Sequence, residues 1–297
     1  MFTTLVAVIA TLVLGHVAPA LGTSLRRFHW YEHWLEWLSA HATTEASFWR
    51  GRHGIWLALL PPVLLVLLVQ VALSGRLLGL VSLLFGVIVL VWTWGPRDLD
   101  IDVESALDAT EPDTRRARLA QLAPEPGVAV AEGPALPGLL VRSALRRWFA
   151  PLLWFLLLGP AGAVLYRLTE RAALSASPLL PMETAAGARN VLRWLEWPVA
   201  QLMTLALALA GNFDLVFRAW RSAGGDRWQA GSGFLESAAR AAVRGELAED
   251  AEDYLRDGQL PVTTELVELR DAMSLAWRML LVWLALLALL VIAGWVS

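Results

Sequence analysis

The chain has 297 residues, 57% of them hydrophobic and 17% charged, with a mean hydropathy of +0.54. Soluble domains carry about 25% charged residues, so this composition excludes an ordinary soluble core and calls for lipid. A net charge of -3 leaves no basic field for nucleic acid. The absence of cysteine excludes disulfides, thiol catalysis and cysteine metal sites. All 24 basic residues are arginine, which excludes a Walker lysine, a Schiff-base lysine and a lysine general base.

Residues 2–14 are apolar, but no basic stretch precedes them, so they read as retained rather than as a secretory signal. Residues 3–21 are long enough to cross a bilayer, although Gly15, His16 and Pro19 interrupt them. Residues 22–54 open with SLRRFHWYEHWLEWLSAH, where Trp30, Trp34 and Trp37 fall at helical spacing. This predicts an amphipathic helix at the membrane surface. His29 and His33 are four apart, as are Glu32 and Glu36, a spacing shared by metal ligands and by ordinary exposed helix faces. Residues 55–73 and 77–94 read as two spans joined by a tight turn, with Trp92 and Trp94 at an interface.

The run DLDIDVESALDA starts a helical stretch over 98–123. Its Asp98, Asp100 and Asp102 could take a divalent cation but lack a second ligand cluster in sequence. Residues 124–137 are a Pro/Gly-rich loop. Residues 148–168 read as a third span, with Pro151 in its first turn and Gly159-Pro160 in the middle. A mid-span proline frees a carbonyl and kinks the helix, either as simple packing or as the lining of a cavity. Arg167 and Glu170 are three apart and can pair, or the arginine snorkels to the interface. Residues 198–210 are apolar for only about 13 positions, which favours a re-entrant or partly buried helix. Glu196 and Gln201 flank Pro198. Glu196 is either a functional group at membrane depth or sits at the positive end of a helix that Pro198 opens. An acidic alanine-rich helix covers 234–255, its Glu246, Glu249, Asp250, Glu252 and Asp253 reading as a solvated face, and a fourth span covers 274–295.

The resulting expectation is an all-α, polytopic transmembrane protein with about five or six membrane segments and cytoplasmic helical loops. It forms a single integral membrane domain over 1–297, with an interfacial region at 22–54 and cytoplasmic regions at 95–147 and 212–271. If both uncertain segments cross, these three polar regions share one side and hold 18 of the 24 arginines. The positive-inside rule then puts that side in the cytoplasm.

Three stretches carry a family resemblance. FAPLLWFLLLGPAGAVLYRL, VLRWLEWPVAQLMTLALALAGNFDLVFRAW and LRDAMSLAWRMLLVWLALLALLVIAGWVS resemble, in order and spacing, the spans of the AmpE family. The opening FTTLVAVIA and the His/Trp-rich helix resemble it as well, whereas 127–137 does not. The resemblance implies a multi-pass inner-membrane protein of Gram-negative bacteria that modulates β-lactamase induction. It also implies a link to the cytoplasmic amidase that recycles cell-wall anhydro-muropeptides. No cofactor, metal or catalytic residue is implied.

AmpE is similar in turn to the CobD/CbiB membrane synthases of cobalamin biosynthesis. Those enzymes carry acidic and Asn residues upstream of the Ala-Pro element, where this chain has Arg142, Ser143, Arg146 and Arg147. They also carry an Asn-Thr-x-Asp-like motif where this chain reads LTERAAL. The expected ligand-binding set, lining a polar cavity, is Arg146, Arg147, Trp154, Tyr166, Arg167, Glu170, Glu196 and Gln201. Arginines there suit carboxylates or phosphates such as a cell-wall fragment presents. The expected partners are the lipid bilayer, such fragments, the amidase and a second copy of the chain in a homo-oligomer. A synthase acting on a cofactor-like substrate and a muropeptide or lipid carrier are the alternatives.

Overall fold

A computed structural model describes residues 7, 11, 28–41, 48–73, 79–94, 98–123, 133–174, 180–256 and 266–293. Among these residues every regular element is helical. The chain divides into two compact units, Met1–Pro96 with Ala150–Leu195 and Val291–Ser297, and Arg97–Phe149 with Glu196–Leu290. The expected crossing over 3–21 lies almost wholly outside the described residues.

The first unit is built on helices α1 (His29–His41), α2 (Ile55–Leu73) and α3 (Gly79–Thr93). Helix α1 buries Tyr31 and Leu35, four residues apart, and leaves Glu32, His33 and Glu36 outside. The buried pair is not the tryptophan stripe the sequence points to, since Trp30 and Trp37 are exposed as well. Helix α2 is continuous over the span read from the sequence and contains no charged residue. Its Pro61 and Pro62 lack N–H groups, so the carbonyls four residues back lose their helical partners. One of these, on Ala58, is taken by the Trp34 indole N–H at 3.3 Å, which holds α1 to α2. Ahead of α2, Thr184 donates its hydroxyl to the carbonyls of Trp49 and, at 3.3 Å, Gly51.

The expected third span is not one helix. Helix α4 (Ala150–Leu158) ends at Gly159, whose φ of +69° only glycine adopts at little cost, and α5 (Pro160–Leu174) turns back against it. The turn is tight enough that a Cβ on Gly162 would overlap the Trp154 carbonyl. Hydropathy cannot distinguish this hairpin from a kinked span, because both flanks are apolar. Gln70, near the end of α2, repairs the break: its amide nitrogen donates to the Leu158 carbonyl at 3.2 Å and its oxygen accepts the Ala161 N–H at 3.1 Å. Helix α5 packs on α2 and α3 as well as on α4.

The second unit contains α6 (Leu99–Leu107), α7 (Pro112–Leu122) and α8 (Leu136–Ala144), numbered here after the first unit's elements. One wide π-turn, Leu145–Phe149, follows α8. Helix α9 (Met182–Ala210) runs unbroken through Pro198, so the proline lies inside the helix rather than opening it. The remaining helices are α10 (Phe213–Ser222), α11 (Gly233–Arg256) and α12 (Val267–Ile292). Helix α11 packs on α8 and α10. The Arg142–Glu236 pair at 2.9 Å ties α8 to α11, and Arg278–Glu246 at 2.7 Å ties α12 to α11. Trp277 and Trp283 of α12 pack on Trp148 and Phe149.

Gln70→Leu removes both repairs of the Gly159 break. It is expected to cost about 2 kcal/mol, because a carbonyl and an N–H lose their partners. Gly159→Ala is expected to be destabilising too, since its φ is unfavourable for an L side chain and its Cβ meets Gln70. Tryptophan-fluorescence melting in detergent checks both. Unchanged melting temperatures would show that the amide does not hold the hairpin.

Candidate functional site

The eight residues singled out by sequence fall into the two units, four in each. In the second unit, the π-turn widens the helix at Leu145–Phe149 and places the adjacent Arg146 and Arg147 in buried positions. π-turns of this kind concentrate at functional sites. Arg146 donates from Nε to Glu196 Oε1 of α9 at 2.5 Å, and both side chains are 4% exposed. Arg147 donates from Nη1 to Asp102 Oδ2 at 2.6 Å and from Nη2 to the Gln121 carbonyl at 2.8 Å. That second acceptor lies in the last turn of α7, where carbonyls have no helical partner. The guanidinium fork therefore joins α6, α7 and the π-turn through one side chain.

Asp102 was weighed in the sequence only as part of an alternating Asp98, Asp100, Asp102 cation set. On a helix Asp100 and Asp102, two apart, point to different faces, and Asp98 is the extended N-cap before the helix. Asp102 is buried against Arg147, while Asp100 accepts the Trp277 indole N–H at 3.0 Å. Among the described residues no three His, Asp or Glu side chains gather as metal ligands.

Gln201 uses both ends of its amide in the second unit. Its nitrogen donates to the Gly225 carbonyl at 2.7 Å, and its oxygen accepts the Trp220 indole N–H at 2.9 Å. It also lines a 230 Å³ pocket walled by Phe213, Phe217 and Trp220.

The other four residues belong to the first unit. Arg167 is 1% exposed, so it does not snorkel. It pairs with Glu170, as the three-residue spacing allows, and donates from Nε to the Thr93 carbonyl at 2.6 Å. Thr93 ends α3, where orphan carbonyls and the negative end of the helix dipole attract a cation. Tyr166 is buried beside it in sequence, and the Trp154 indole N–H donates to the Leu195 carbonyl at 3.2 Å. Arg171, one turn beyond Arg167, lies over the Phe28 ring at 4.5 Å. Burial lowers its pKa below the ordinary arginine value, with neighbouring Arg167 adding to the effect and Glu170 and Glu32 opposing it.

Sequence reading missed Thr93 and Gln70, and it took Asp102 for a cation candidate rather than for the partner of Arg147. Gln70 was detectable as the one amide in an otherwise apolar span. Thr93 and Asp102 gave no local signal, because their arginine partners are 74 and 45 residues away.

Breaking Arg146–Glu196 from one side leaves a buried charge alone. Glu196→Leu is expected to cost about 3–5 kcal/mol, whereas pairing it with Arg146→Met recovers most of that loss. A double-mutant cycle on detergent-solubilised protein measures the coupling, and additive single effects would show that the pair is not an energetic unit. Compared with known proteins, the chain matches no family model, no curated protein and no solved structure.

Proposed function

We propose that the chain is a polytopic inner-membrane protein of the AmpE type that modulates β-lactamase induction in response to recycled cell-wall fragments. The observation that carries the membrane part is the outward face of α2. Two helices, Ile55–Leu73 and Val267–Leu289, are long and apolar enough to cross a bilayer. On α2, Leu65 and Leu68 are 66% and 69% exposed, and Leu64 and Val71 accompany them without an intervening charge. On α12, Leu281, Leu286 and Leu289 are exposed. Contiguous apolar surface of this kind is rare on soluble monomers and is ordinary against hydrocarbon. The hairpin at Gly159 fits the same setting: its tip residues Leu157 and Leu158 are exposed and apolar, while Gln70 satisfies the broken backbone.

The signalling part rests on the resemblance of the three quoted stretches. The buried pairs of the second unit supply a physical route for it. Arg146 and Arg147 already hold carboxylates, Glu196 and Asp102. A cell-wall fragment presents the same chemistry, so it engages either arginine by exchange with the resident carboxylate. The displaced group frees α6 or α9 from the π-turn, and that release is the signal. Affinity is set by the difference between the two pairings, as any ligand-driven shift must be.

Native mass spectrometry of the protein in lipid nanodiscs with an anhydro-muropeptide tests this reading. Wild-type protein is expected to retain one fragment. Asp102→Asn, which weakens the resident competitor, is expected to bind it about tenfold more tightly. Failure of both to retain any fragment sinks the sensing role. Monodisperse behaviour in buffer without detergent sinks the membrane assignment.

A further inference from the structure

Helices α1 and α2, with Trp92 of α3 and Val164 of α5, line a groove apart from the buried arginine pairs; His33 in its lining pairs with Glu36 at 3.2 Å. One of the groove's contacts is made possible by Pro62, whose missing N–H leaves the Ala58 carbonyl to the Trp34 indole. Trp34 stacks on Trp37 at 5.3 Å with an interplanar angle of 9°, and Trp30 stacks on Trp92 at 6.2 Å. These four indoles, with the Pro61 and Leu65 side of α2, line a groove of 680 Å³. That volume falls within the range of ligand sites, roughly 300–1,000 Å³. Among the described residues His33 is the single ionisable side chain in its lining.

The groove has a direction. At one end lies α1, whose outer side carries Glu32, His33 and Glu36 in solvent. From the Trp34–Ala58 contact to Val66 the lining descends α2 by eight residues, about 12 Å at 1.5 Å per residue. Beyond that level the exposed Leu68 and Val71 continue the same charge-free surface. The groove thus begins at a charged edge and opens sideways onto the surface assigned above to hydrocarbon.

We propose that this groove holds one acyl chain of a bilayer lipid, with the headgroup at the charged edge of α1. The inference rests on the reading that α2 crosses the membrane. A chain already in hydrocarbon gains nothing further from leaving water. What favours the groove is dispersion against large aromatic faces held in place by stacking and by the Trp34 hydrogen bond. A compact polar ligand would find one histidine to bind. A methylene chain needs no polar partner, and it enters along the open side.

Phosphatidylcholine vesicles containing a small fraction of lipid with a diazirine on its acyl chain test the assignment. After photolysis, adducts are mapped by peptide mass spectrometry. Adducts are expected on α1 and on residues 61–66, saturating as the probe fraction rises, while adducts on α12 from bulk lipid rise linearly. Val66→Trp fills the groove and is expected to lower the α1 adducts about tenfold while leaving α12 adducts unchanged. Trp34→Phe, which keeps a ring but loses the N–H, is expected to lower them less. Labelled α12 with unlabelled or unsaturable α1 overturns the groove assignment alone. Absence of adducts on α2 and α12 alike overturns the membrane reading and the groove with it.

Discussion

A helix that ends or breaks away from water leaves carbonyls that must find a donor, and this requirement organises both units. Proline pairs, a hairpin and helix ends release these carbonyls, and long side chains from other elements collect them. Trp34 takes Ala58, Gln70 takes Leu158, Arg167 takes Thr93 and Arg147 takes Gln121. In water each bond would replace a bond to solvent and contribute about 1 kcal/mol. In apolar surroundings the alternative is an unmade bond, so each donor becomes a condition for its helix to stop where it does.

The same constraint explains why the charged residues at depth are not free to serve as a simple ligand-binding surface. Arginines drawn inward to meet carbonyls must also be neutralised, and Asp102, Glu170 and Glu196 do this. Any anion that acts through the second unit's π-turn therefore competes with resident carboxylates.

Much of the fold was legible where the signal is local. The charge-free run gave the bounds of α2, and the tryptophan spacing gave α1 as a helix but not its buried face. The Arg167–Glu170 pair followed from helical geometry. What sequence could not supply was any feature defined by a distant partner. Gly159-Pro160 reads identically as a kink or as a reversal until Gln70, 88 residues before Leu158, is placed beside it. Pro198 reads from sequence either as a helix start or as an interruption within a longer segment, and the structure shows the second, a helix already formed by the polar stretch before it. Glu196 and Arg146 were singled out separately, and only folding makes them one pair across 50 residues.

The guanidinium groups of Arg147 and Arg167 each serve two acceptors at once, a carboxylate and a helix-terminal carbonyl. A guanidinium does not shed its proton at any physiological pH. Losing one acceptor therefore cannot be softened by neutralisation, and a half-released fork is a permanent cation in an apolar place. The carboxylate beside it can leave only as another anion takes its place, so each arginine behaves as a latch with two settings rather than as a spring.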